Sequence, residues 1–230
     1  MVFDPMYFLF LAPALLLSVW ASFKTKSTFK KYSKVRTMNG MTGAQAAKAM
    51  LEQAGIRDVE IKPVPGRLSD HYNPVNKTLA LSEPVYSIPS IAAVGVACHE
   101  AGHAVQHATA YKPMWIRSIL VKPASLGSTL GFYGMMFGLF LSSTGLFMAG
   151  VLLFCGLLAF QMVTLPVEFD ASNRAKKLAV EYGIVSAQER QGMDKVLNAA
   201  ALTYVAAAAA SIMQLLYFLM RAGLLGGSRD

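Results

Sequence analysis

The chain has 230 residues, enough for one domain with a real core; 54% are hydrophobic and 15% charged, against about a quarter charged in a soluble protein. That deficit excludes an ordinary soluble domain and points to membrane spans. The net charge of +8 would suit a nucleic-acid binder, but its placement beside apolar stretches explains it without one, and two cysteines, Cys98 and Cys155, give no disulfide framework.

Pro5 to Phe23 is 19 residues without a charge, just long enough to span a bilayer, with Pro13 as a tolerated kink. A secretory signal would carry its basic residues before the apolar core. Here Asp4 precedes it, and Lys24, Lys26, Lys30, Lys31, Lys34 and Arg36 follow. The positive-inside rule therefore sets the N-terminus outside and the basic run in the cytoplasm, against anionic lipid heads.

Thr42-Gly-Ala-Gln45 has capping-box form and opens an Ala-rich helix that Gly55 ends. Val59 to Lys62 alternates as a strand does, and Pro63, Pro65 and Gly66 then break the chain. Asp70-His-Tyr-Asn-Pro74 is turn-rich. Lys77 to Ser82 is a second short strand, read either as an edge that pairs an extended substrate or as a plain core strand. These elements form a small α+β portion.

The stretch Cys98 to His107 contains His-Glu-x-x-His and holds three of the four histidines. It follows an apolar run from Ile91 to Ala97, with Pro89-Ser90 as the helix start. On a helix His99 and His103 project from one face and can grip one zinc ion (Zn2+), and Glu100 can take a proton from the attacking water. His107 extends the series, but helix rise sets it ~12 Å from His99, too far to share an ion bonded at ~2 Å. The third ligand comes from elsewhere. Glu168, Asp170, Glu181, Glu189 and Asp194 are the candidates, and Leu165 to Arg174 is the strongest segment, where Glu168 and Asp170 could also simply complement a helix N-terminus.

Pro123 to Val167 is 45 residues without a charge, room for two spans with a turn at Ser142 to Gly145. Gly127, Gly131, Gly134 and Gly138 recur at intervals that let membrane helices approach closely. Val196 to Met220 is a further 25 uncharged residues. Four spans with an outside N-terminus leave every Lys and Arg on the cytoplasmic side except Arg221 and Arg229 of the C-terminal tail. The expected organisation is an anchor at 1–23, a cytoplasmic portion with the His-Glu-x-x-His helix at 24–118, two spans at 119–167, a cytoplasmic segment at 168–195, and a last span and tail at 196–230. A rival topology sends Ile88 to Tyr111 into the membrane, as in site-2-type proteases. Those use a later Asp followed by Gly, and Asp170, Asp194 and Asp230 have no following Gly.

The segments Asp70-His-Tyr-Asn-Pro74, Leu79-Ala-Leu-Ser82, Val85-Tyr86, His99 to His107 and Leu165 to Ser172 occur in order across Leu68 to Arg174. In these the chain resembles the YugP-like family of bacterial membrane zinc metallopeptidases. The resemblance implies a gluzincin-like site with His99, His103 and Glu168 as zinc ligands and Glu100 as the catalytic residue, in a multi-pass protein of the bacterial plasma membrane. More distantly the chain is similar to HtpX-type proteases, which carry Glu-x-x-Ala-Asp. Here Ser172 stands in the place of that Asp, with Asp170 displaced, so Asp170 is the fallback third ligand.

The expected fold is a mainly α membrane protein with about four spans and a small cytoplasmic α+β peptidase portion. The expected function is zinc-dependent endopeptidase action on membrane or membrane-proximal proteins. Expected partners are a protein or peptide substrate and the lipid bilayer, with no nucleic acid; a homo-oligomer stays open. The competing class is a non-catalytic zinc-containing membrane protein that binds clients or acts as a scaffold, which has no need of a base at Glu100. Candidates for an oxyanion donor are His71, Tyr72, Asn73, His107 and Arg174.

Overall fold

The computed structural model describes residues 5–66 and 68–224. Asp4, Arg67, Arg229 and Asp230, used above in counting charge and testing motifs, lie outside them. In chain order the elements are α1 (Pro5–Tyr32), α2 (Gly43–Gln53), β1 (Glu60–Val64), β2 (His71–Asn73), β3 (Thr78–Ser82), α3 (Glu83–Ser87), α4 (Ile91–Ala108), α5 (Lys112–Leu126), a π-helical turn (Gly127–Gly131), α6 (Phe132–Phe140), α7 (Thr144–Glu181) and α8 (Ala187–Arg221). Among the described residues α1, α7 and α8 are long and apolar enough to cross a membrane. The protein is thus mainly helical, with a small sheet and the spans of a membrane protein. The stretch expected to hold one further span is helical too, but the π-helical turn interrupts it, and α5 and α6 are each shorter than a crossing requires.

The described residues fall into two compact units. One is drawn from residues 5–21, 115–165 and 203–224, the other from Ser22–Met114 and Pro166–Leu202. In the first, the repeating glycines act within the chain. A Cβ on Gly127 would lie 2.2 Å from the Leu153 carbonyl oxygen, one on Gly131 2.7 Å from the Phe154 nitrogen, and one on Gly138 2.5 Å from Phe147. The run from α5 to α6 therefore packs on α7 backbone to backbone, which a larger residue forbids. The chain reverses between α6 and α7 at Leu141 to Ser143, close to the expected turn. Aromatic side chains close the rest of this core, with Tyr7 edge-on to Tyr217 at 4.9 Å between ring centroids.

The second unit is built on local signals that the chain carries openly. Thr42 caps α2: its hydroxyl accepts from the Gln45 amide, and the Gln45 side chain accepts from the Thr42 amide, at 3.3 and 2.9 Å. Gly55, at φ +76°, ends that helix. Ser90 caps α4 by accepting from the Ala93 amide at 3.2 Å. The core gathers Met50 of α2, Leu79 and Leu81 of β3, Val94 of α4, and Ile184 and Met193. Most residues of α4 are buried in it, so the zinc-motif helix is packed in protein.

The sheet has the order β1-β3-β2, with β1 parallel and β2 antiparallel to β3. Three sequence expectations change here. Pro63 does not break the first strand: β1 runs on to Val64, because a proline is tolerated where one side of an edge strand needs no donor. The segment read as turns around His71 contributes β2. Finally, the strand Lys77 to Ser82 is not an edge for a substrate. As β3 it lies in the middle, and both its sides are paired. It is a plain core strand, and its residues Leu79 and Leu81 are fully buried.

Candidate metal centre

Three side chains from two helices meet in the second unit. His99 and His103 stand one turn apart on α4, and Glu168 faces them from α7. Their ligand-type atoms lie within 4.8 Å of one another. Glu168 Oε2 is 3.2 Å from His99 Nε2 and 3.6 Å from His103 Nε2. Glu168 and His103 are buried, and the His99 side chain keeps 13% of its exposure.

The approach of the two helices depends on Gly102, between the histidines. A Cβ there would stand 2.6 Å from the carbonyl oxygen of Ala171. Only glycine lets α7 come this close, and Glu168 lies less than one turn before Ala171. The sequence held a cue, because an isolated glycine inside a helical pattern usually has a packing reason.

The unused ring nitrogens are also held. The Gln106 Oε1 lies 2.9 Å from His103 Nδ1, and the Ser172 hydroxyl 3.1 Å from His99 Nδ1. Each ring is thereby turned so that its Nε2 faces Glu168. Gln106 was not singled out from the sequence. Its position three residues after His103, on a neighbouring part of the helix face, was the available signal.

Electrostatics bind the cluster. Burial alone would raise the Glu168 carboxyl, but the His103 and His99 imidazoles beside it hold it well below the usual carboxylate range. Burial alone would push the His103 imidazole down; the Glu168 hydrogen bond and the charges of Glu100 and Glu168 outweigh it and hold it above the ordinary histidine value. Glu100 is itself 8% exposed. Cys98 is fully buried, which pushes its thiol up to about 12, and it lies outside the cluster.

The remaining candidates fall elsewhere. His107 lies outside the three-residue cluster, and its Nδ1 is 2.8 Å from the Tyr72 hydroxyl. Asp170 Oδ2 accepts from Arg174 Nε at 2.6 Å and from Gln106 Nε2 at 2.8 Å, so it is engaged outside the cluster. The His71 ring lies 2.8 Å from the Ser69 carbonyl oxygen, and Asn73 Oδ1 accepts from the Val75 amide. Glu189 accepts from the Met38 and Ser186 amides. Among the described residues only His99, His103 and Glu168 form a cluster of metal-ligating type.

Two imidazoles and one carboxylate are the donor set of many catalytic zinc sites. Atoms bonded at ~2 Å to one tetrahedral ion stand roughly 3.3 Å apart, which the separations from Glu168 approach. The residues therefore fit zinc. The family described as "Putative neutral zinc metallopeptidase" matches residues 7–223. The chain belongs to this family. It is also 46% identical over 216 residues to "Putative membrane protease YugP" of Bacillus subtilis (strain 168), covering 94% of this chain and 96% of that protein. No solved structure matches the chain.

Proposed function

We propose that the chain is a zinc-dependent, membrane-integrated endopeptidase acting on membrane or membrane-proximal proteins. The observation that carries this reading is the convergence of His99, His103 and Glu168, with the buried Glu100 next to His99 on the same helix. His99, His103 and Glu168 would hold the ion, in a gluzincin-like arrangement. Bound there, zinc supplies a Lewis acid that polarises a carbonyl and lowers the pKa of a water towards ~7. Glu100 is the catalytic residue: its carboxylate takes the proton of the attacking water and passes it to the leaving amine. Glu168 brings a carboxylate that its surroundings keep ionised, and Gln106 and Ser172 keep the two imidazoles aimed. The printed names of the family and of the relative support the peptidase chemistry; neither carries a substrate.

The proposal includes four spans in a bacterial plasma membrane, with the N-terminus outside and the site facing the cytoplasm. Its segments are the anchor at 1–23, cytoplasmic portions at 24–118 and 168–195, two spans at 119–167, and the last span and tail at 196–230. The distribution of Lys and Arg supports it. The partners are a protein or peptide substrate and the bilayer, without nucleic acid.

Purified full-length protein, loaded with zinc, is expected to hydrolyse unfolded casein, to stop on treatment with a chelator, and to resume on return of zinc. A zinc-loaded protein that leaves casein and other unfolded chains intact would favour the client-binding reading.

A further inference from the structure

The side chain of Gln106 is fully buried, and each of its polar ends is engaged. One end faces His103 Nδ1 at 2.9 Å. The other lies 2.8 Å from the Val167 carbonyl oxygen and 2.8 Å from Asp170 Oδ2. These last two partners decide the orientation of the carboxamide. A carbonyl oxygen can only accept, and so can a carboxylate ion-paired with an arginine, so the end that meets both must be the NH2. The end that meets His103 is then the carbonyl oxygen, which also only accepts. His103 must therefore carry a proton on Nδ1, so the neutral ring that binds an ion has its lone pair on Nε2, the nitrogen that faces Glu168.

We infer that Gln106 is a positioning residue, relaying the carboxylate of Asp170 to His103 and locking the imidazole as an Nε2 metal ligand. The relay begins at Arg174, whose Nε lies 2.6 Å from Asp170 Oδ2, one helical turn along α7. It continues through the carboxamide into α4. It ends at the ring. The negative end thus acts on His103 through an intervening amide, where a direct carboxylate contact is the commoner means of orienting a ligand imidazole. The second imidazole is held differently. Ser172 Oγ lies 3.1 Å from His99 Nδ1, and a hydroxyl can donate or accept, so that contact leaves the tautomer of His99 open. The two histidines of the motif are consequently unequal: Gln106 sets the Nδ1 proton of His103, whereas the Ser172 hydroxyl accommodates either state of His99 Nδ1.

The inference rests on the zinc reading, and the test separates the two. Zinc affinity is measured by competition with a chromophoric chelator on the full-length chain in detergent, for the parent, Gln106→Met and Asp170→Asn. Selective 15N-histidine NMR on the zinc-loaded proteins reports which ring nitrogen of His103 carries the proton and how fast that proton exchanges. Gln106→Met keeps the volume but removes the relay, and its affinity is expected to fall about 10–100-fold, with the His103 Nδ1 proton exchanging faster. Asp170→Asn retains an acceptor for the carboxamide and loses the charge, so a smaller fall is expected, with the same proton still on Nδ1. If Gln106→Met does not fold, Asp170→Asn decides alone: a several-fold loss supports the relay. Parent affinity and an unchanged proton in whichever variants fold would overturn the relay and leave the zinc reading standing. A parent that binds no zinc would overturn both.

Discussion

Glu100 and Glu168 carry the same functional group, yet their places predict different answers to the same substitution. Glu168 Oε2 stands 3.2 and 3.6 Å from the two imidazole nitrogens, so Glu168→Gln removes a charged ligand and should weaken zinc binding. Glu100 lies beside the cluster and outside it, so Glu100→Gln should keep stoichiometric zinc and lose ~10²–10⁴ in rate. Metal content and peptide cleavage, measured on both variants, distinguish these outcomes. His107→Ala belongs to the same set: with its ring on Tyr72, it should retain full zinc. Asp170→Asn emptying the site while Glu168→Gln leaves it full would move the ligand two residues on. His99, Glu100 and His103 could be chosen from spacing alone because helix geometry is local. Gln106 could not, because its partners Val167 and Asp170 are more than sixty residues away in the chain.

At the scale of elements, the site is the contact of α4 with the part of α7 that follows Pro166. Gly102 sets that distance, since the atom a Cβ would strike is a backbone carbonyl oxygen and not a flexible side chain. Gly102→Ala should force the helices apart, costing about 1–3 kcal/mol of stability from overpacking and weakening zinc as Glu168 withdraws. Gly145, with nothing within 4 Å of its would-be Cβ, is the control: Gly145→Ala should change neither. Thermal unfolding and a zinc titration on the two variants check this. The capping of α2 and α4 was legible beforehand because a cap lies within four residues of its helix. The centre of the sheet was not. Alternation marks a strand, but pairing with β1 and β2 makes β3 central, and β2 is only three residues long, too short for a pattern of its own.

For the whole molecule, the proposed orientation yields a direct test. In a chain with Cys155→Ser, a membrane-impermeant thiol reagent added to intact cells should label Ser143→Cys and leave Lys34→Cys untouched. Labelling at 34 would reverse the orientation. Composition, the uncharged stretches and the side on which Lys and Arg gather determined by themselves that this is a membrane protein, because transfer of a charge into hydrocarbon is costly whatever the fold. The spacing of His99, Glu100 and His103 likewise pointed to one class of chemistry, the metal-assisted hydrolysis proposed above. Only the tertiary structure decided that the repeating glycines seat α7 against the run from α5 to α6, that β3 has no free side, and that Gln106 joins Asp170 to His103. Each of these is a contact between segments far apart in the chain, and a local pattern carries the means of such a contact but not its partner.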